Sequence, residues 1–323
     1  MVQVCNVDLG NFPLLLAPME DVSDPPFRHI CKGYGVDLVF TEFISSEGLI
    51  RDAAKSIKKL DIFANERPVG IQIFGNEIDS MREAAKIVEE VKPTFLDINY
   101  GCPVYNVACR GAGAGILKDL DKMEKMTAEI VKQVSIPVTV KTRLGWDEST
   151  IKINEVARRL QDVGIKALSI HARTRSQMYK GEARWEYIAK VKEDPRIKIP
   201  IFGNGDIDSA KKAIEYKKKY GVDGIMIGRA AIGNPFIFKE IKHLLKTGNE
   251  LPPISKKERI ETIKKHLELS IEWKGEKLGI LETRRHYSRY LKGIEDIKDL
   301  KDKLIRSNSI SEIFDTLNFI YTS

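Results

Sequence analysis

Of four cysteines, Cys102 stands where a thiol can do chemistry. It follows the run FLDINY (95–100) and opens the stretch GCPVYNVACRGAGAGIL (101–117). A thiol at a strand exit can act as a nucleophile, or as a general acid that gives a proton to a carbon centre. Neither an imidazole nor a further acidic partner sits beside it in sequence. Lys141, in PVTVKTR (137–143), is either a Schiff-base nucleophile or a positive charge beside an electron-rich cofactor ring. GNGD (203–206) and GR (228–229) place glycines at the ends of two further apolar runs, where bare N–H groups can cradle a phosphate. GAGAG (111–115) follows no strand directly, so it is no dinucleotide fingerprint; it reads as loop backbone that something approaches closely. No histidine pair or Cys–His cluster has metal-ligand spacing, and no metal is expected. Cys5, Cys31 and Cys109 read as structural.

Eight short β-rich runs must position these groups: 14–18, 37–43, 69–74, 95–100, 137–143, 167–173, 199–205 and 224–229. Between most of them lie segments with apolar residues at three- and four-residue spacing, such as IDSMREAAKIVEEV and SAKKAIEYKKKYG. Strand–helix alternation with near-continuous apolar strands implies a parallel sheet covered by helices, and eight units imply a closed (β/α)8 TIM barrel. The barrel's chemistry then belongs at the strand ends. Read in order, these offer Pro18 and Met19, Glu42, Gln72, Asn99 with Cys102, Lys141 with Arg143, His171 with Arg173, Asn204 with Gly205 and Asp206, and Gly228 with Arg229. One strand-end amide commonly closes a loop; a whole ring of polar groups is costly to bury unless something uses it.

After about residue 240 the strand signals stop. LPPIS (251–255) reads as a linker and the remainder as helices, so we expect a barrel over 1–240 and a small all-helical C-terminal domain over 251–323. A net charge of +7 favours a polyanionic partner only weakly. The N-terminus lacks a basic region followed by an apolar run, no run approaches membrane-spanning length, and the cysteines show no C-x-x-C spacing. A cytoplasmic protein is the simplest expectation.

APMEDVSDPPFR (17–28), DINYGCP (97–103), VKTRLGW (140–146), SIHARTRSQMYKG (169–181), GNGDI (203–207) and IGRAAIGNPFIF (227–238) together resemble the tRNA-dihydrouridine synthases, most of all the bacterial B-type branch. LETRRHYSRYLKG (281–293) resembles that family's helical tRNA-binding domain. The resemblance implies an FMN-holding barrel that reduces the C5–C6 bond of a uracil in tRNA. Hydride passes from FMN N5 to C6, Cys102 gives the proton to C5, and NADPH re-reduces the flavin. It implies flavin contacts for Pro18, Met19, Glu20, Gln72, Lys141 and His171. Asn204, Gly205, Asp206, Gly228 and Arg229 take the phosphate end. Asn99 is a candidate for the uracil edge, and Arg143, Arg173 and Arg175 for RNA phosphates at the pocket mouth. Arg284, Arg285 and Arg289 lie in a basic segment interleaved with Trp273, His286, Tyr287 and Tyr290, a pattern suited to RNA. Glu20 and Phe202 depart from the family pattern, where small residues are usual. Three other readings compete: an FMN barrel reducing a free pyrimidine, a Lys141 Schiff-base lyase, and an RNA-binding protein on a decayed barrel.

Overall fold

A computed structural model describes residues 1–322. Eight parallel strands form the barrel: β1 (Leu14–Leu16), β2 (Val39–Phe40), β3 (Val69–Phe74), β4 (Phe95–Tyr100), β5 (Val138–Arg143), β6 (Ala167–His171), β7 (Ile201–Asn204) and β8 (Gly224–Ile227). Each pairs with its neighbour in sequence from β2 to β8, and β8 pairs back with β1. A parallel bridge between Leu15 and Leu38 closes the ring, reinforced by the Leu16 N–H donating to the Leu38 carbonyl at 2.9 Å. The closed (β/α)8 barrel with a helical C-terminal region is the architecture that eight alternating units imply.

Around it lie α1 (Pro25–Gly33), α2 (Ile78–Glu90), α3 (Leu120–Gln133), α4 (Ile153–Asp162), α5 (Glu186–Glu193), α6 (Ala210–Tyr220) and α7 (Phe236–Thr247). Their ends follow local chemistry. Asp24 caps α1 by accepting from the Phe27 N–H, with Pro25 and Pro26 at the first turn. Gly221 ends α6 at φ +62°, where an L side chain would be strained. The second strand is shorter than the run DLVFTEF promises. After Phe40, the Thr41 hydroxyl instead of a carbonyl accepts the Gln72 N–H at 3.1 Å, and the chain leaves the ladder before a second short pairing, Ile44–Ser45 with β3.

Strand alternation sorts the barrel interior into two levels. At the amino ends Leu15, Leu38, Phe40, Phe95 and Phe202 fill it, with Met226 as the upper surface of this floor facing the cavity and Val4 and Leu9 of the N-terminal hairpin packed beneath. Phe202 thus belongs to this apolar floor. At the carboxyl ends the inward positions become polar. The register places Gln72 beside Asp97, Asp97 beside Thr139, Asn99 beside Lys141, Lys141 beside Ser169, and Arg143 and Asn204 beside His171.

The C-terminal region comprises α8 (Lys256–Lys274), α9 (Glu276–Tyr290), α10 (Lys298–Arg306) and α11 (Ile310–Thr322). Its core gathers Ile260, Ile263, Leu267, Tyr287, Leu304 and Leu317, and it also takes in Phe236 of α7 and the flank of Tyr34. Lys274 reaches Asp24 and Glu282 in a nearly buried ionic cluster between α8, α1 and α9. No described helix is long and apolar enough to cross a membrane.

Candidate active site

The carboxyl ends of the strands open into a cavity of about 680 Å³. It is lined by Pro18, Met19 and Glu20 from the first loop, Asn99 and Cys102 from β4 and its loop, Lys141 and Arg143 from β5, and His171 from β6. Asn204 ends β7 and Gly205 and Asp206 follow it, Gly228 and Arg229 follow β8, and Arg289 of α9 reaches in from the helical region.

Gln72 stands behind this wall. Its Nε2 donates to Asp97 Oδ2 at 2.5 Å, and its Oε1 accepts from Asn99 Nδ2 at 2.8 Å. The Thr139 hydroxyl donates to the other Asp97 oxygen at 2.5 Å. Burial pushes the Asp97 carboxyl up to about 6, while the Thr139 and Gln72 hydrogen bonds oppose that rise. Asn99 finishes the chain: its Oδ1 accepts from the N–H groups of Gly101 and Cys102 at 3.0 and 2.8 Å. A buried network on three adjacent strands therefore fixes the amide of Asn99 and the backbone that carries the thiol.

Cys102 is 6% exposed. Burial raises its pKa, against the pull of the Val104 N–H and of Arg143, so the group is a protonated thiol at neutral pH. The glycines that follow serve this loop. A side chain at Gly113, where φ is +53°, would place its Cβ 2.9 Å from the Cβ of Cys102. At Gly115 a Cβ would collide with the Ala108 carbonyl. The bare backbone lets the Cys102 loop lie flat on its own return.

Lys141 has no hydrogen-bond or ion-pair partner among the described residues, and burial, aided by Arg143, lowers its pKa to about 8. His171 is held well below 6.5 by burial and then by Arg143, Lys141, Arg173 and Arg229, so its imidazole is neutral. Arg143, 2% exposed, spends its fork on the Gly101, Thr174 and Met178 carbonyls at 2.8, 3.0 and 2.8 Å. It staples the Cys102 loop to the loop after β6.

Several arginines make hydrogen bonds within the protein itself. Arg173, buried, makes a fork to both oxygens of Asp206 at 2.8 and 2.7 Å, and Asp206 also accepts from the Ala183 N–H. Asp206 therefore orders the loop beside Gly205 and Arg229, not a phosphate directly. Arg175 lies outside the cavity with its guanidinium 4.5 Å from the Trp146 ring centre, and Lys118 covers the same ring at 3.7 Å. Arg284 bonds the Ser307 carbonyl and Asn308. Arg285 donates to the Asp21 carbonyl at 2.6 Å and Arg289 to the Arg229 carbonyl at 2.9 Å, so both tie the helical region to loops of the barrel mouth. The aromatics interleaved with these charges correct the sequence reading. His286, Tyr287 and Tyr290 are core side chains, because the face of α9 that bears them is the one packed on α8 and α1. Glu20 and Glu42 converge on the Lys59 ammonium at 2.5 and 3.5 Å, so a cation already sits among these carboxylates.

Sequence reasoning missed the Thr139–Asp97–Gln72–Asn99 network and Tyr179. The latter lines the cavity, with Arg143 and Arg229 guanidinium carbons 5.6 and 4.9 Å from its ring centre. The alternation of polar residues within FLDINY and VTVKTR is the signal that could have found the network.

A closed parallel barrel whose ionisable groups converge at the strand carboxyl ends defines a (β/α)8 protein of the enzymatic kind. A family model described as "Dihydrouridine synthase (Dus)" matches residues 15–320, and the chain belongs to that family. The probable tRNA-dihydrouridine synthase of Rickettsia bellii is 34% identical over 100% of this chain and 98% of that protein. The tRNA-dihydrouridine synthase B of Pseudomonas aeruginosa is 36% identical over 91% of this chain and 88% of its own length. Among solved structures, the 6-hydroxypseudooxynicotine amine oxidase of Pseudomonas geniculata superposes with a TM-score of 0.60 at 12% identity, covering 82% of this chain and 52% of that one. The histamine dehydrogenase of Rhizobium gives 0.53 at 12% identity, with coverages of 81% and 50%. The chain spans about half of these two structures, and the likeness is one of fold.

Proposed function

We propose that this protein is an FMN-dependent tRNA-dihydrouridine synthase that reduces the C5–C6 bond of particular uridines, with NADPH as reductant. The observation that carries the reading is the meeting, in one strand-end cavity of a chain of this family, of an uncharged thiol at Cys102 and an unpartnered ammonium at Lys141. The cavity fits a flavin mononucleotide in size and lining. Its 680 Å³ lies in the usual range for bound cofactors, and it combines Met19, Met226 and Ile232 with a few convergent polar groups. Gly205, Gly228 and Arg229 would hold the phosphate, and Lys141 would stand against the electron-rich ring edge.

When bound, FMN supplies hydride to C6 of the uracil and is recharged by NADPH. Cys102 then gives the proton from Sγ to C5: the S–H bond breaks, the C5–H bond forms, and the thiolate recovers a proton from solvent. Burial keeps Sγ protonated until that step. Asn99 Oδ1 is occupied by loop N–H groups, so its free Nδ2 hydrogen is the one available to a uracil oxygen. Lys141 offsets negative charge in a site whose amino end is sealed by the apolar barrel floor. Residues 1–240 would carry this chemistry, and residues 251–323 with Arg289 would engage the RNA.

The test begins with the visible spectrum of the purified protein, anaerobic NADPH, and mapping of dihydrouridine in tRNA. We expect flavin bands that bleach, and dihydrouridine at defined positions. Cys102→Ala should keep the flavin and its reduction by NADPH while tRNA reduction falls by about 10²–10⁴-fold. Full tRNA reduction by that variant would remove Cys102 as the acid, and a colourless protein that takes up no FMN would remove the cofactor.

A further inference from the structure

The loop that carries Cys102 also carries an aromatic ring that nothing in the fold uses. Tyr105 is 71% exposed and Val104 beside it 48% exposed, and Val104 lines the cavity. Among the described residues the Tyr105 side chain has no hydrogen bond, ring contact or cation partner. Tyr179 on the opposing loop differs, because its ring is already occupied by Arg143 and Arg229.

The ring is held on a rigid base. The Ala108 and Cys109 N–H groups donate to the Val104 and Tyr105 carbonyls, both at 2.9 Å, and the Ala114 N–H donates to the Cys102 carbonyl at 3.1 Å. Gly113 and Gly115 lie in close backbone contact beneath this turn. Arg143 fixes the loop from the other side through the Gly101 carbonyl. Tyrosine offers a large flat surface with only two side-chain torsions to immobilise, so a ring on such a base binds at low entropic cost. Arg110, five residues on and exposed, adds a cation that forms no ion pair among the described residues.

We propose that Tyr105, with Val104, is a stacking platform for a nucleobase of the RNA next to the one that enters the cavity. It is a positioning residue for the substrate, and the proposal rests on the reading that the substrate is tRNA. A uridine reaching Cys102 must leave its stack, which exposes the face of its neighbour. An aromatic ring at the edge of the entrance covers that face without reading sequence.

The experiment uses the holoenzyme and full-length tRNA, with wild type, Tyr105→Ala and Tyr105→Phe compared for Kd, KM and kcat. Loss of one base–aromatic stack should raise Kd and KM for Tyr105→Ala by roughly 5- to 150-fold. Its kcat at saturation should change less than about threefold, a split a merely structural role would not give. Tyr105→Phe should stay within about twofold of wild type, and NADPH-driven flavin reduction without RNA should be the same in all three. A Tyr105→Ala variant with unchanged Kd, or a Tyr105→Phe variant that loses as much as the alanine, would overturn the platform while leaving the activity standing. A wild type that reduces its flavin yet neither binds nor modifies tRNA would overturn both proposals.

Discussion

Substituting Gly113 by alanine tests how the thiol is held. Two costs can be separated by comparison with Gly111. Both residues have positive φ, +53° and +81°, so an L side chain at either is strained by about 1 kcal/mol. A Cβ at Gly111 meets nothing within 4 Å. At Gly113 it would lie 2.9 Å from the Cys102 Cβ, 3.0 Å from the Cys102 carbonyl oxygen and 3.2 Å from Val107. Relieving that contact moves the Cys102 loop and adds roughly 1–3 kcal/mol, as overpacking of a closed site does. Gly113→Ala should therefore lose about 2–4 kcal/mol of stability against about 1 for Gly111→Ala. The larger effect is on rate. A thiol displaced by even part of an ångström loses its line to the reacting carbon, and a 1 Å error is worth about 10²-fold. Urea denaturation gives the stabilities, and single-turnover reduction of tRNA gives the rates. If Gly113→Ala behaved like Gly111→Ala in both, the return loop would not be what positions Cys102.

Two further outcomes follow from buried charge. The Lys141 ammonium is lost as pH rises through about 8, so tRNA reduction by the wild type should fall along a basic limb near that pH. Lys141→Met should be slow and lack this limb, and a wild-type profile flat from about pH 7 to 9.5 would sever the amine from the chemistry. Arg28 and Glu66 are an ion pair at 2.6 Å, 1% and 0% exposed, and Arg28 also holds the Ser23 and Asp61 carbonyls beneath the first loop. Arg28→Met should cost about 3–5 kcal/mol by leaving Glu66 buried alone, with partial recovery in the Arg28→Met/Glu66→Gln double variant, both read by thermal denaturation.

Much of the fold was legible because local signals agreed with the tertiary outcome. VGIQIF and FLDINY read as strands and are strands to the residue, being predominantly apolar with only isolated polar residues and bounded by turn residues. Helix α10, in KDLKDKLIR, was not expected: Leu304 is its only fully buried residue, so its apolar face is too narrow to show. The site was legible as a set of strand ends, since alternation and the parallel topology decide which residues meet there. What each arginine touches was not. Arg173 and Asp206 are 33 residues apart, and only the closed barrel brings them together. The aromatics of α9 were misread for a related reason: composition shows charge and rings on one helix but not which face is covered.

The apolar plug at the amino end of the barrel governs traffic. Leu15, Phe40, Phe95 and Met226 are at most 1% exposed, and the N-terminal hairpin seals them from below, so the chamber has no back door. On the proposed function, the nicotinamide and the RNA must then use the same doorway and approach the same bound flavin from it. Their visits would then be taken in turn. On that reading each RNA would depart before the next charge of electrons is delivered, which would tie turnover to the speed with which a large polymer leaves the mouth.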